Sequence, residues 1–204
     1  MRFVQGRVGT IVPAHFRLDF GGVYNKAGQL QEDTQYTYEY DARGNRTKRS
    51  SKNGTVVETY AYNDLARLIS YQKERVNPST LERTIETKAT YSYDPLGRRI
   101  QKDVDGEITQ FAWFGQKLIN ESGSGAPKSY QYGPQGYAPL SVNEAGSVLS
   151  VVSDHLSAPV TLLNEQAESW TQARTPFGVD TLSNDYSFNI GFPGQYYDAE
   201  SGVR

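Results

Sequence analysis

Apolar and polar positions alternate along much of the chain, and aromatic rings carry the alternation: Tyr36, Tyr38 and Tyr40; Tyr60 and Tyr62; Tyr91 and Tyr93; Phe111 and Trp113; Tyr130 and Tyr132. A period of two places each set on one face of a pleated strand. Each run ends in a common frame of aromatic, Asp or Asn, two variable positions, Gly, then a polar or basic residue. The clearest copies are Tyr40-Asp41-Ala42-Arg43-Gly44-Asn45-Arg46 and Tyr93-Asp94-Pro95-Leu96-Gly97-Arg98-Arg99. Tyr62-Asn63-Asp64-Leu65-Ala66-Arg67-Leu68 has Asn for Asp and Ala for Gly, and Tyr24-Asn25-Lys26-Ala27-Gly28-Gln29-Leu30 fits as well. Tyr132-Gly133-Pro134-Gln135-Gly136 is a weaker copy, and Trp113-Phe114-Gly115-Gln116-Lys117-Leu118 the most degenerate.

The frame has a physical reading. An Asx side chain after the last Tyr bonds to the backbone two residues on and starts a turn, while Gly three positions later tolerates φ > 0. Residues such as Arg46-Thr47-Lys48 and Arg98-Arg99-Ile100 then begin the return strand, so the unit is a β-hairpin. The leading aromatics stand 16, 22, 31, 20 and 19 residues apart. Most intervals suit two strands and two turns, and the long one holds an insertion around Asn77-Pro78-Ser79. Ala66 in the Gly position and the loss of Asp from the later frames predict relaxed turns there.

Composition agrees with an all-β chain. Hydrophobic residues reach only 37%, yet 15 Tyr and 8 Phe supply large rings with a polar edge, and 19 Gly and 9 Pro punctuate short apolar stretches. The 21 basic and 23 acidic side chains intermix to a net charge of −2, which leaves no clustered cationic field for nucleic acid. No cysteine is present, so disulfides, thiolate metal sites and a Cys nucleophile are excluded. Neither a signal-peptide apolar run at Met1-Arg2-Phe3-Val4-Gln5-Gly6-Arg7 nor a spanning helix later in the chain is evident, so export is expected to use a signal-peptide-independent route.

Candidate chemistry is sparse. Asp41 and Asp94 recur with the turn and are replaced by Asn25 and Asn63 in other copies; Asn keeps the turn bonds but cannot act as a general acid or base. These carboxylates read as turn residues. Ser153-Asp154-His155 has the residue types of a hydrolytic triad, but adjacent residues do not aim at one atom, and a turn bonding to backbone is expected. His15 and His155 are the only histidines, so no zinc set is assigned. Ser122-Gly123-Ser124-Gly125-Ala126-Pro127 lacks the Lys-Ser/Thr of a phosphate loop. No catalytic, cofactor-binding or metal-ligating residue is assigned.

The repeated Tyr-x-Tyr-Asp-x-x-Gly-x-Arg, seen in Tyr38 to Arg46 and Tyr91 to Arg99, resembles the YD repeat of Rhs proteins. Downstream, Asp154-His155-Leu156-Ser157-Ala158-Pro159-Val160 is similar to the "DHLGxP" segment of the Rhs-associated core, and Thr175-Pro176-Phe177-Gly178 to its "YxPFG" segment. Phe192-Pro193-Gly194-Gln195-Tyr196-Tyr197-Asp198-Ala199-Glu200-Ser201-Gly202 resembles "FxGQYYDxETG". The resemblance implies three stretches: a lead-in over 1–23, YD-repeat hairpins over 24–140, and a partial core over 141–204. The structural repeat residues are then Tyr40, Asp41, Gly44, Tyr62, Asn63, Tyr93, Asp94 and Gly97, and the core-motif residues Asp154, His155, Pro159, Gly194, Tyr197 and Asp198. It also implies a further hairpin, turning at Asn164-Glu165-Gln166-Ala167, where Leu162 to Gln172 shows weak helical periodicity.

In that family, which includes the C component of insecticidal toxin complexes and teneurins, YD repeats resemble a β-strip coiled into a hollow shell around a toxic domain, released by aspartate-dependent self-cleavage near "DPxGL". This chain stops at Val203-Arg204, ahead of that motif, so no self-cleaving site carries over. The expected product is an antiparallel hairpin array forming a curved sheet, one segment of an Rhs-type β-shell. About six frames do not close a cavity; they leave an open sheet with free edges. A truncated or orphan form, a piece that completes another shell, and an oligomer closing its edges by symmetry all fit. The expected function is a scaffold that carries or encloses a toxin polypeptide, secreted or at the cell surface, cytoplasmic before export. Its partners are the toxin, the remaining shell, or a second copy through the sheet edges. The competing class is a carbohydrate-binding module with sugars stacked on exposed rings. Burial of Tyr38, Tyr60 and Tyr91 against neighbouring strands would close that option at those positions.

Overall fold

The computed structural model describes residues 22–134, 136–166, 169–171, 188–191 and 195–202. The segment Thr175 to Gly178 and the stretch Phe192 to Gly194, including the core-motif residue Gly194, lie outside the described residues, as do His15, Gln135 and Ala167.

Fifteen strands follow in chain order. They are β1 (Val23–Tyr24), β2 (Leu30–Glu32), β3 (Tyr36–Tyr40), β4 (Arg46–Ser51), β5 (Val56–Tyr62), β6 (Leu68–Val76), β7 (Arg83–Tyr93) and β8 (Arg99–Val104). The rest are β9 (Glu107–Phe114), β10 (Lys117–Gly123), β11 (Lys128–Tyr132), β12 (Pro139–Glu144), β13 (Ser147–Ser153), β14 (Pro159–Leu163) and β15 (Ser169–Thr171). They form one sheet in sequential order β1 to β15, with every pairing between neighbours antiparallel. Among the described residues it is not closed, and β1 and β15 stand at its two ends. Strand β15 pairs with β14 through Leu162 opposite Trp170, so the weakly helical stretch is strand on both sides of its turn.

A sequential meander puts alternate turns on opposite edges of the sheet. Every second turn falls at a repeat frame, so all of these frames collect along one edge. Seven turns share it: 25–29, 41–45, 63–67, 94–98, 115–116, 133–138 and 154–158. On the opposite edge Asx side chains bond to the backbone as well, at Asp33, Asn53, Asn77 and Asn164, but two of its turns are tight. Asp105-Gly106 and Ala145-Gly146 join Val104 to Glu107 and Glu144 to Ser147 as two-residue loops with φ of 54° and 93° and of 50° and 92°. Both values positive is the type I′ pattern that matches strand twist. The insertion around Asn77-Pro78-Ser79 lengthens β6 and β7 into one long hairpin on this edge.

The register contains a feature with the same period. At each of the seven hairpins on the Asx edge, one residue of the return strand has no cross-strand partner: Gln31, Thr47, Ile69, Ile100, Ile119, Leu140 and Val160. Each is a β-bulge, which bends its strand and increases local twist. Repeated on one edge, the bulges add a bend of one sense at every hairpin.

The inward face is covered and divides into two clusters. Tyr60, Leu68, Tyr71, Ala89 and Tyr91 make the first, with Tyr62 and Tyr93 packed on it. Phe111, Leu118, Tyr130, Val142, Leu149 and Leu162 make the second, together with Phe188 and Ile190 from the C-terminal stretch. That stretch is folded on itself by an isolated bridge between Ile190 and Tyr196 and by the Tyr197 amide donating to the Asn189 carbonyl at 2.7 Å.

Candidate functional site: the Asx edge and the covered face

Five of the seven turns on the Asx edge share one hydrogen-bond pattern. In the 41–45 turn the Asp41 amide donates to the Asn45 carbonyl at 2.9 Å and the Gly44 amide to the Asp41 carbonyl at 3.1 Å. Asp41 Oδ1 accepts the amides of Arg43 and Asn45 at 2.9 and 2.8 Å. Asn63 makes the same side-chain bonds to Leu65 and Arg67, both at 3.0 Å, and Asn25 to Ala27 and Gln29. Asp94 takes the amide of Arg98 at 2.9 Å and also its guanidinium. Because Asn25 and Asn63 build the turn as Asp41 does, the turn needs the oxygen and not the charge. The charge has its own effect. The Asn45 side chain, ahead of the turn amides, holds Asp41 below the usual carboxylate range; at Asp94 burial pushes upward, but the Arg98 amide and guanidinium outweigh it.

Gly44 and Gly97 occupy φ of 90° and 87°, and a side chain on Gly97 would run into the Arg67 guanidinium. The frame with Ala in this place is not relaxed: Ala66 holds φ 57° and its amide donates to the Asn63 carbonyl at 3.0 Å, so the pattern is kept with a residue that disfavours it.

The fifth such turn is at Asp154. Its Oδ1 accepts the amides of Leu156 and Ala158, both at 2.9 Å, and Ser157 stands at φ 65° in the Gly position. His155 is exposed at the turn, Pro159 is buried at the start of β14, and the Ser153 hydroxyl is buried with no hydrogen-bond partner. Ser153, Asp154 and His155 therefore do not converge. This frame is missed in a search led by aromatics, since Ser153 stands where the others carry a ring. Conversely, the Trp113 frame is a different turn: Phe114 pairs with Lys117, leaving Gly115-Gln116 as a two-residue loop. With Phe114 in the Asx position no side-chain oxygen is there to hold a longer turn.

The last ring of a frame reaches back to the preceding one. Tyr40 Oη donates to the Leu30 carbonyl at 2.8 Å, Tyr93 Oη to the Leu68 carbonyl at 2.8 Å, and Trp113 Nε1 to the Arg99 carbonyl at 2.7 Å. Leu30, Leu68 and Arg99 each come directly before a bulged residue, where the ladder is interrupted and a carbonyl needs another donor. The ring supplies it. Arg46 and Arg99, at equivalent places in two repeats, also lie 4.6 Å from ring centroids on a neighbouring strand, Arg46 over Tyr60 of the strand that follows and Arg99 over Tyr91 of the strand before.

The covered face also holds buried charge, and sequence reasoning missed it. Glu58 is 3% exposed; it pairs with the Arg49 guanidinium through both oxygens and accepts the Tyr71 hydroxyl at 2.9 Å. Glu121, 6% exposed, accepts the hydroxyls of Tyr130 and, at 2.5 Å, Tyr196. Asp198 is fully buried, meets Arg99 at 2.5 Å and lies 3.7 Å from Lys102, while its second oxygen has no partner. Burial pushes the Asp198 carboxyl up, opposed by Arg99. Glu200 takes Lys102 at 3.2 Å and the Tyr91 hydroxyl at 2.9 Å. Burial also pushes the Tyr60 and Tyr132 hydroxyls up to about 12, and the Tyr91, Tyr130 and Tyr196 hydroxyls upward with help from neighbouring carboxylates. The available signal was parity: Glu58 and Glu121 share the phase of inward-facing Tyr60 and Phe111.

Tyr60 and Tyr91 are each 4% exposed and present no ring face for a sugar; Tyr38 is half-buried, with Arg46 5.9 Å from its centroid and its hydroxyl on Asp33 at 2.6 Å. Among the described residues no three His, Cys, Asp or Glu side chains are grouped to hold a metal ion, and no helix is long and apolar enough to cross a membrane.

The teneurin YD-shell family model matches residues 21–203. The chain belongs to that family, within the Rhs/YD-repeat proteins. Its relatives include double-stranded DNA deaminase toxin A of Burkholderia cenocepacia (strain H111), 28% identical over 205 residues, covering 82% of this chain and 14% of the relative. The tRNA3(Ser)-specific nuclease WapA of Bacillus spizizenii is 28% identical over 193 residues, covering 88% of this chain and 8% of WapA. The toxin protein Tse5 of Pseudomonas aeruginosa is 25% identical over 206 residues, with coverage of 81% and 15%. Among solved structures, the Photorhabdus luminescens Tc holotoxin pore is similar at TM-score 0.40 and 19% identity, over 74% of this chain and 8% of that one. The YD-shell chain thus spans well under a fifth of the length of these relatives.

Proposed function

We propose that this YD-shell chain is a wall segment of an Rhs-type toxin protein, and that its covered face is turned toward a toxin polypeptide that the assembled wall carries and encloses. The supporting observation is the sheet itself: fifteen strands in one sequential layer, stapled from repeat to repeat by ring-to-carbonyl bonds and bent in one sense by recurring bulges. Such a layer extends by adding hairpins and needs no closed core of its own. On this reading the role is containment and not catalysis. Tyr40, Asp41, Gly44, Tyr62, Asn63, Tyr93, Asp94 and Gly97 set the repeat. Asp154, His155, Pro159, Gly194, Tyr197 and Asp198 belong to the core that follows, with a functional division near residue 140. Export and use against competing bacteria follow from the same reading.

The test is protease protection. The full chain, tagged and isolated under native conditions from the cells that make it, is digested with and without prior mild denaturation, and co-purifying polypeptides are followed by mass spectrometry. A polypeptide from outside the wall that survives until the wall is opened is the expected result. Digestion of every co-purifying polypeptide at its free rate would refute enclosure.

A further inference from the structure

A half-covered sheet ordinarily sends its charges to the solvent face. In β9 to β15 this chain does the opposite. Glu121, Lys128 and Glu144 lie on the covered side, Lys128 and Glu144 paired at 3.5 Å. Lys117, beside a turn, points its ammonium at the Tyr132 ring, 5.4 Å from the centroid. Apart from Phe114 and its partner Lys117 at the turn end of β9 and β10, the outward ladder positions of these seven strands carry only Ile, Leu, Val, Ala, Ser, Thr, Asn and Gln, and none of them is buried. Their large aliphatic members are exposed: Ile108 45%, Ile119 38%, Leu140 60%, Val148 46% and Val152 44%. Ile119 and Leu140 are bulged residues, so the apolar stripe follows the repeat. Upstream the outward face is ordinary, with Glu39 paired to Lys48 at 2.8 Å and Lys88 and Asp103 facing out.

We infer that the outward face of β9 to β15 is an interface that takes a second copy of this chain, sheet face against sheet face. The chemistry narrows the occupant. The one ring on the face, Phe114, stands at its turn end, away from the aliphatic stripe and with no second ring beside it, and the one cation, Lys117, is turned to Tyr132, so neither a sugar nor nucleic acid or an anionic bilayer finds a hold across the stripe. A flat, uncharged surface of short polar and branched aliphatic side chains is complementary to another of its own kind, since face-to-face sheets interlock such side chains across about 10 Å. Size agrees. Seven strands at about 4.8 Å spacing with about 20 Å of outward ladder give about 600 Å² per copy, or about 1,200 Å² in a twofold pair, the lower bound of a stable interface. The twofold arrangement sets each stripe against its equivalent.

Sedimentation equilibrium of the full chain, at roughly 1 to 100 μM, reads the association. The expected result is a concentration-dependent dimer, and Leu140→Lys, which brings like charges together across the twofold, weakens it by at least about tenfold. Gln131→Lys, at an exposed outward position on the neighbouring strand, is the second variant should Leu140→Lys fail to fold, judged by far-UV circular dichroism. A monomer at the highest concentration overturns the inference. So does a dimer unchanged by these lysines, as pairing through β1 and β15 at the ends of the sheet would give. Neither outcome bears on enclosure of a polypeptide by the opposite face.

Discussion

Glu121→Leu is the most informative single perturbation of the covered face. The carboxylate is buried and accepts two phenol hydroxyls, Tyr130 from β11 and Tyr196 from the C-terminal stretch, while Tyr196 also receives the Asn189 amide at 2.8 Å. Leucine leaves two buried donors unmatched. Each costs about 1–3 kcal/mol, so the variant is expected to lose about 2–6 kcal/mol of a total in the range of about 5–15 kcal/mol. Part of the loss is the anchor of the C-terminal stretch, because Tyr196 packs edge-on to Phe111 with centroids 5.2 Å apart and depends on the same carboxylate. The argument is about unmatched groups and not about a lost attraction, and one control separates the two. In Glu121→Leu combined with Tyr130→Phe and Tyr196→Phe both phenol donors are gone and only the half-buried Asn189 amide loses an acceptor, so most of the stability should return. Urea unfolding followed by tryptophan fluorescence measures both, since Trp113 and Trp170 pack against this cluster. A single variant within about 1 kcal/mol of the parent, or a triple variant no more stable than the single, would refute the reasoning.

Two further outcomes follow from the Asx edge. Ala66→Gly removes a non-glycine residue from φ 57° and should stabilise by about 1 kcal/mol, whereas Gly97→Val at φ 87°, against Arg67, should destabilise by at least about 2 kcal/mol; thermal melts of the two variants should therefore move in opposite directions. Asp41 and Asp94 are held below their usual range, so their contribution is present above the unfolded carboxylate value and lost as pH falls through the depressed one; Asp198 is pushed up, so its contribution is greatest in acid and declines as pH rises through its folded value. Asp94→Asn should flatten the acid limb of a stability-against-pH curve and Asp198→Asn the limb above it; identical curves for parent and variants would contradict the assignment.

Much of the fold was legible because the repeat is written in local chemistry. Asx bonding to the backbone two residues on, and an aromatic phase of two, need no knowledge of the rest of the chain. They located the hairpins at Tyr24, Tyr40, Tyr62 and Tyr93. Reliance on a leading ring left the turn expected at Asp154 outside the repeat, although its oxygen makes the same bonds behind a serine. It also grouped Trp113 with turns it does not share.

By itself the sequence determined that the chain is a succession of antiparallel hairpins, because both signals act within a few residues. The tertiary structure alone decided that the Asx turns share an edge, that a bulge follows each of them, that ring hydroxyls meet the carbonyls beside those bulges, and that the C-terminal carboxylates come down on Arg99 and Lys102. These are matters of register and of distance across strands. A hydrogen bond between Tyr91 and Glu200 depends on where two remote segments come to rest, and no property of either segment specifies the other.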